Sequence, residues 1–165
     1  MDPKSPSQSS AQLARWMGVG DANSAGNIHG GTVMKLADEA AGLVAIKHSR
    51  RRVVTAGMDR MTFLVPIRVG ELVTFSAMLN AAWRTSMEVG VRVEAENPRT
   101  GELRHTNTAY LTMVALNDEG DPTPVPTLLA STPTELRRMR EAGLRRANRL
   151  AERAEILAHR ERSPD

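Results

Sequence analysis

One helix-patterned stretch set ahead of four strand-patterned ones constrains this chain more than any other feature. From Gly30 to about His48 apolar side chains recur every three or four residues, with Val33, Leu36, Ala37, Ala40, Leu43 and Val44 on one stripe. Behind it, Val53–Phe63, Leu72–Trp83, Met87–Asn97 and Leu103–Asn117 are rich in Val, Thr, Met and Leu with partial alternation, the composition of strands that cover a core with one face. A short strand, Ala11–Gly18, precedes the helix. Pro66 with Gly70, then Arg84-Thr85, then Asn97-Pro98-Arg99-Thr100-Gly101 separate the later segments, which predicts a hairpin meander for strands three to five. A single apolar stripe needs a single sheet to cover it. The expectation is an α+β domain in which an antiparallel sheet wraps around one long central helix.

The start of that helix carries the chemistry. Gly30 and Gly31 leave the first backbone N–H groups without side-chain cover at the positive end of the helix dipole, where an oxyanion is held well. A second helix face carries Met34, Asp38, Ala41, Gly42 and Ala45. Asp is a poor helix-interior residue, and its small neighbours suit the close approach of a backbone or a ligand. A lone helix Asp is more often a solvated or ion-paired surface group, so the face by itself does not make Asp38 catalytic. Glu39, about a quarter-turn away, belongs to a solvated or interface side. Asp38 lies seven residues beyond Gly31, roughly 10 Å along a helix, whereas reacting atoms sit about 3 to 3.5 Å apart. The two therefore serve different sites. Two such helices packed antiparallel through the small-residue face bring Asp38 of one subunit toward the 23–31 segment of the other, which predicts a symmetric dimer.

Asn23, Gly26, Gly30, Gly31 and Asp38, in the spacing N-x-x-G-x-[IV]-x-G-G-x-x-x-x-x-x-[DE], resemble the signature of the hotdog-fold acyl-CoA thioesterases. DANSAGNIHGGTVMKLADEA is especially similar to the tandem-domain cytosolic hydrolases of animals and their single-domain bacterial relatives, and the likeness runs through VVTAGMDRMTFLVPIRVGELV, covering roughly Ala11 to Pro126. The resemblance implies the hotdog architecture and hydrolysis of acyl-CoA to a free acid and coenzyme A, with no cofactor. It implies that Asp38 acts as general base or as nucleophile and that Asn23 orients the water or the thioester. It implies further a homodimer with sites across the interface, extended by family analogy to a trimer of dimers. The Gly31 N–H, with that of Gly30, is the expected oxyanion donor. His29 beside it either donates to the substrate or is a structural loop histidine. Arg50-Arg51-Arg52 after the helix and Arg84-Thr85-Ser86 between strands are candidate contacts for coenzyme A phosphates, although exposed loop charge is the simpler account of any one of them. Two alternatives stand beside this reading: a non-catalytic acyl-CoA sensor of the same fold, and a dehydratase, which needs a His and acid pair that is not seen.

Composition sets the frame. The 165 residues suffice for one core, residues 11–130 forming the domain. No apolar run is long enough to cross a bilayer, so neither membrane insertion nor a secretion signal is expected, and the chain reads as cytoplasmic. With no Cys, thiol catalysis and disulfides are excluded, and the four His have no metal-ligand spacing. Nine Met against five aromatics suit ordinary core filling or an adaptable acyl tunnel. Residues 1–10 are expected to be disordered. Residues 131–165 form a charged C-terminal helix and tail, opened by a Thr132-Pro133-Thr134-Glu135 capping box and running to about Arg160. Its nine Arg against six acids account for the whole net charge of +3. Leu136, Leu150 and Leu157 on a weak seven-residue spacing favour a solvated or subunit-contacting role over binding to nucleic acid, to an acidic membrane surface or to the phosphates of coenzyme A.

Overall fold

The computed structural model describes residues 1–63 and 65–162; the last residues of the tail, 163–165, lie outside the described residues. Helix α1 (Gly30–Ser49) is wrapped by five strands, β1 (Ala11–Trp16), β2 (Arg52–Met58), β3 (Leu72–Ala82), β4 (Ser86–Glu96) and β5 (Leu103–Leu116), and helix α2 (Pro133–Arg162) follows. The strand order is β1-β3-β4-β5-β2, antiparallel throughout. The meander of β3 to β5 forms the middle of the sheet, and β1 and β2 are its edges. This is the hotdog fold.

The core lies between the concave sheet face and α1. Val73, Phe75 and Leu79 of β3, Met87, Val89, Val91 and Val93 of β4, and Leu111 and Met113 of β5 meet Val33, Leu36, Ala37, Ala40, Ala41, Val44 and Ala45 of the helix. The alanines let the helix sit low in the curled sheet, so its buried arc is wider and turned relative to the expected stripe. Ala41 and Ala45, expected on the second face, are fully buried, and Leu43, expected in the core, is 43% exposed. Sheet curvature, which the helical period does not encode, causes the rotation.

Strand β2 is shorter than the expected 53–63. Its register with β5 shifts between Thr55 and Gly57, leaving Ala56 as a bulge. Past Met58 the Asp59 carboxylate is drawn away by a two-pronged bond from Arg149 of α2 (2.7 and 2.8 Å), and Phe63 reaches Gly30 at the head of α1, its ring 3.4 Å from where a Cβ would stand.

The first residues are not free of the fold, contrary to their polar composition. Pro6–Ser9 forms a 3-10 turn, and the Lys4 N–H and C=O bond to Thr127 and Leu129. Lys4 Nζ donates to the His48 carbonyl at the end of α1 (2.5 Å), and Lys47 Nζ donates to the Ser10 carbonyl. The buried His48 ring bridges Ser9 Oγ (3.0 Å) and the Pro126 carbonyl (2.8 Å). The Lys4 ammonium thus satisfies carbonyls at the open end of the helix.

Helix α2 begins as its capping box predicts: the Glu135 carboxylate accepts from the Ser131 and Thr132 N–H groups, and the Glu135 N–H donates to Thr132 Oγ1. Its first half lies on the outer sheet face. Ala142 is buried there, and Arg145 donates twice to the fully buried carboxylate of Glu88 while stacking 3.7 Å from the centre of the Tyr110 ring. Asn80, bulged out of β3, donates to the same carboxylate (3.1 Å).

Candidate active site

Asn23 stands in the loop before α1. Its Oδ1 accepts from the backbone N–H groups of Ala25 (2.9 Å) and Asn27 (3.2 Å), which fixes the amide orientation and turns Nδ2 outward as a donor. Gly26, at φ 79°, supplies the left-handed turn this closure needs. The loop is tied back by the His29 N–H to the Asp21 carbonyl (2.8 Å), and Asp21 is itself held by Arg15 (2.8 Å).

His29 is the N-cap of α1. Its Nδ1 accepts from the Gly31 N–H at 3.0 Å, so in the neutral ring the proton is on Nε2. The Gly30 N–H takes no partner among the described residues. Asn23 and Gly30 line a cleft of about 320 Å³ whose walls are mainly apolar, from Ile28, Val33, Phe63 and Ile67. Polar donors at one end and an apolar trough at the other match a reacting carbonyl with a hydrocarbon chain.

Asp38 is not part of that cleft. It is half-buried at the margin of the helix facing β2, where Thr55 Oγ1 donates to its Oδ1 at 2.5 Å; Thr55 also lies 3.6 Å from Met113 Sδ. Asp38 Oδ2 has no partner among the described residues. Glu39 points to solvent and pairs weakly with Lys35 (3.8 Å). Thr55 is the residue the sequence reading missed: in a strand a Thr is an ordinary β-former, and its contact with a residue seventeen positions earlier arises only through the fold.

The arginine candidates sit elsewhere. Arg51 and Arg52 are exposed at the start of β2, beyond the left-handed Arg50 that ends α1 (φ 55°). Arg84, Thr85 and Ser86 form the β3–β4 turn, closed by the Trp83 N–H to the Ser86 carbonyl (2.8 Å), with Arg84 exposed. Both groups lie at the sheet end where β5 finishes, since Arg52 is opposite Leu116 and Ser86 opposite Val114. From Gly30 to Arg50 the twenty-residue helix spans about 30 Å. One chain thus brings together Asn23, His29, Gly30 and Gly31, and leaves Asp38 and the arginines apart from them. Among the described residues no group of three acids or histidines is gathered to hold a metal.

Residues 25–102 match the family model described as the thioesterase superfamily. The chain is 41% identical to the protein VdlD of Helicobacter pylori over 72% of its own length and 67% of that protein. It is 37% identical to the cytosolic acyl coenzyme A thioester hydrolase of Rattus norvegicus over 85% of its length, and spans 37% of that longer protein. An acyl-CoA hydrolase of Staphylococcus aureus, solved with butyryl-CoA, coenzyme A and coenzyme A disulfide, superposes with a TM-score of 0.87 at 35% identity, covering 96% of both chains. With its wrapped helix and its glycine-headed cleft, this chain belongs to the hotdog-fold thioesterase superfamily, in the branch of the acyl-CoA thioester hydrolases.

Proposed function

We propose that this protein hydrolyses acyl-CoA thioesters to a free carboxylic acid and coenzyme A, in sites each built from two subunits. The observation that carries the reading is the hold of Thr55 on one Asp38 oxygen, which leaves the other oxygen unburied and without a partner among the described residues, at the helix margin beside the edge strand β2. Met34, Leu43 and Ile46 on α1 and Val54 on the edge strand β2 are 40–46% exposed around it, an apolar surface suited to a second copy. This face replaces the small-residue face expected from sequence, since Ala41 and Ala45 are taken up by the chain's own core. Antiparallel apposition of two α1 helices carries Asp38 toward the partner's glycine-headed cleft, and the arginines toward the partner's site. Solved relatives include hexamers, which supports a trimer of dimers.

In the reaction, Asp38 removes a proton from water as that water attacks the thioester carbonyl, or attacks the carbonyl itself to give a mixed anhydride that water then cleaves. Asn23 Nδ2 orients the carbonyl or the water. The oxyanion is received by the N–H of Gly30 and by that of Gly31, released from His29 Nδ1. The C–S bond breaks and coenzyme A leaves as thiolate, which takes the proton held by Asp38 in the first case and one from water in the second. The acyl chain lies along Ile28, Val33 and Phe63. Arg51, Arg52 and the Arg84-Thr85-Ser86 turn contact the coenzyme A phosphates. In the S. aureus hydrolase, variants with an Asp, an Asn or a Thr replaced by Ala have been solved; the same three residue types meet this site as Asp38, Asn23 and Thr55. Relatives named cytosolic support a cytoplasmic location.

The test is free-thiol release from a panel of acyl-CoAs. Asp38→Asn is expected to lower kcat by roughly 10²- to 10⁴-fold, Thr55→Ala by less. Mixing Asp38→Asn with Asn23→Ala chains and re-forming the dimers is expected to restore part of the activity, because some mixed dimers then hold one intact site. A wild type that binds acyl-CoA without releasing thiol makes the sensor the correct account, and no recovery on mixing places both residues in one chain's site.

A further inference from the structure

Helix α2 lies on the outer face of the sheet and the glycine-headed cleft on the inner side, yet one short stretch of chain joins them round the edge strand β2. At its start Nη1 of Arg149 donates to both oxygens of the Asp59 carboxylate (2.8 and 2.7 Å), and the Asp59 N–H donates to the Tyr110 carbonyl (2.9 Å). Arg149 is itself seated, 3.7 Å from the buried Glu88 carboxylate that Arg145 and Asn80 hold. The far end is also tied: the Ile67 carbonyl accepts from the Ile28 N–H (2.8 Å), the Pro66 carbonyl accepts from Arg104 (3.3 Å), and Arg104 pairs with Glu71. Between these anchors, among the described residues, no backbone bond holds Arg60, Met61, Thr62 or Phe63. Arg60 meets Glu152 at 3.4 Å, but both are well exposed, and such a pair contributes little.

What hangs from the first anchor is the wall of the cleft nearest the chemistry. The Phe63 ring reaches over Gly30, its Cζ 3.4 Å from where a side chain on that residue would begin, and Val65, Pro66 and Ile67 continue the wall. The Gly30 N–H is a proposed oxyanion donor, so the ring bounds the space that the carbonyl and the first carbons of an acyl chain would share. A straight chain runs along such a wall with its methylenes against the ring, whereas a methyl on the carbon next to the carbonyl needs space that the ring fills. The ring is 46% exposed, with little packing of its own, and keeps its place only as well as its anchors do.

We propose that Phe63 selects acyl groups unbranched next to the carbonyl, and that Arg149, by holding Asp59, is the positioning residue that keeps the ring over Gly30. The proposal rests on the acyl-CoA reading of the cleft. It gives the C-terminal helix a part in the choice of substrate, although none of its residues lines that cleft. Loss of the Arg149 bond leaves the Asp59 N–H still paired with β5, so the ring gains freedom while the sheet stays closed.

The experiment sets hexanoyl-CoA against 2-methylhexanoyl-CoA, by kcat/KM from thiol release and by calorimetric Kd in the Asp38→Asn background, where turnover is slow. The wild type is expected to prefer the unbranched group by roughly tenfold or more, the scale of one misplaced carbon in a fitted apolar pocket. Phe63→Ala, at a half-exposed side chain outside the core, is expected to bring the preference within about threefold. Arg149→Gln is expected to lie between these two, and Arg149→Lys to recover most of the wild-type ratio. Arg146→Gln, on the same helix but stacked on Trp83 and without a bond to Asp59, is expected to keep the ratio and controls for a loosened α2. In Phe63→Ala/Arg149→Gln the preference is expected to equal that of Phe63→Ala alone, because the two residues act as one unit; a further loss in the double variant overturns the positioning role. A wild-type ratio in Phe63→Ala overturns the selection itself, as does a wild type with no preference. A preference in Kd without any thiol release sinks the hydrolysis and leaves this proposal standing, whereas rapid release with a ratio that no variant moves does the reverse. A protein that binds neither compound overturns both.

Discussion

The two helices of this chain are held by opposite physics. Nine of the twenty residues of α1 are buried, nearly all small or apolar, and the helix touches all five strands. Only Ala142 of the thirty residues of α2 is buried, with Met139 packed half-buried against the core, and the rest of its hold passes through Arg145 to Glu88 and Arg149 to Asp59. Burial of apolar surface is non-directional and is not screened by salt, whereas an ion-pair contact depends on two or three atoms and on the medium around them. The chain therefore has one helix that defines the fold and another that the fold recruits. The proposed hydrolysis uses the first.

The sharpest way to break this contrast is Phe75→Ala, in the fully buried layer beneath α1. It is expected to cost about 3–5 kcal/mol, lowering the denaturant midpoint of the whole domain in one transition; a change confined to α2 would show that the two helices are not separable in this way. Glu88→Ala comes next. Where a buried charge cannot escape, loss of its partner costs about 3–5 kcal/mol, but Arg145 and Arg149 sit on a helix that is able to lift off, which sets a lower ceiling here. Hydrogen exchange is expected to speed up over residues 139–150 and to stay at the wild-type rate in α1, and 1 M salt is expected to do part of the same in the unmodified protein.

The smallest effect concerns pH. Burial pushes the His48 imidazole below its usual value, with the Lys4 charge acting in the same direction and the Pro126 carbonyl bond opposing both. The unfolded chain, with its His near pH 6.5, then takes up a proton that the folded chain refuses. The contribution of His48 to stability is whole above that value and declines as pH falls from there toward the lower folded-state value. Urea midpoints are expected to fall between pH 7.5 and 5.5, with a shallower fall in His48→Gln; identical slopes in the two proteins would remove His48 as the cause.

Helix α1 and the β3–β5 meander were legible in the sequence because their periodicities repeat over many residues and are bounded by Pro, Gly and Asn. The glycine pair, Asn23 and Asp38 were legible because the residue types are unusual where they stand. Glu88 was not: between Met87 and Val89 it takes the alternating place of a solvent-facing residue, and only the arrival of α2 some sixty residues later buries it. Thr55, Ser9 and His48 share that property, each meeting its partner across a long stretch of chain. The end of β2 differs from the expectation because the chain leaves the ladder after Asp59, whose N–H still donates to the Tyr110 carbonyl (2.9 Å) and whose carboxylate is held by a helix arginine, with no local turn signal to mark the place.

At the head of α1 the Gly31 N–H is never vacant, and an incoming oxygen has to compete with the His29 ring for it. A neutral thioester carbonyl is a weaker acceptor than a neutral imidazole nitrogen, so the ring keeps the N–H against the resting group. An acceptor with a full negative charge makes a bond roughly twice as strong and displaces the ring. In the proposed hydrolysis the helix start would accordingly act as a filter on charge, indifferent to a resting carbonyl and responsive to one whose oxygen has taken up an electron pair.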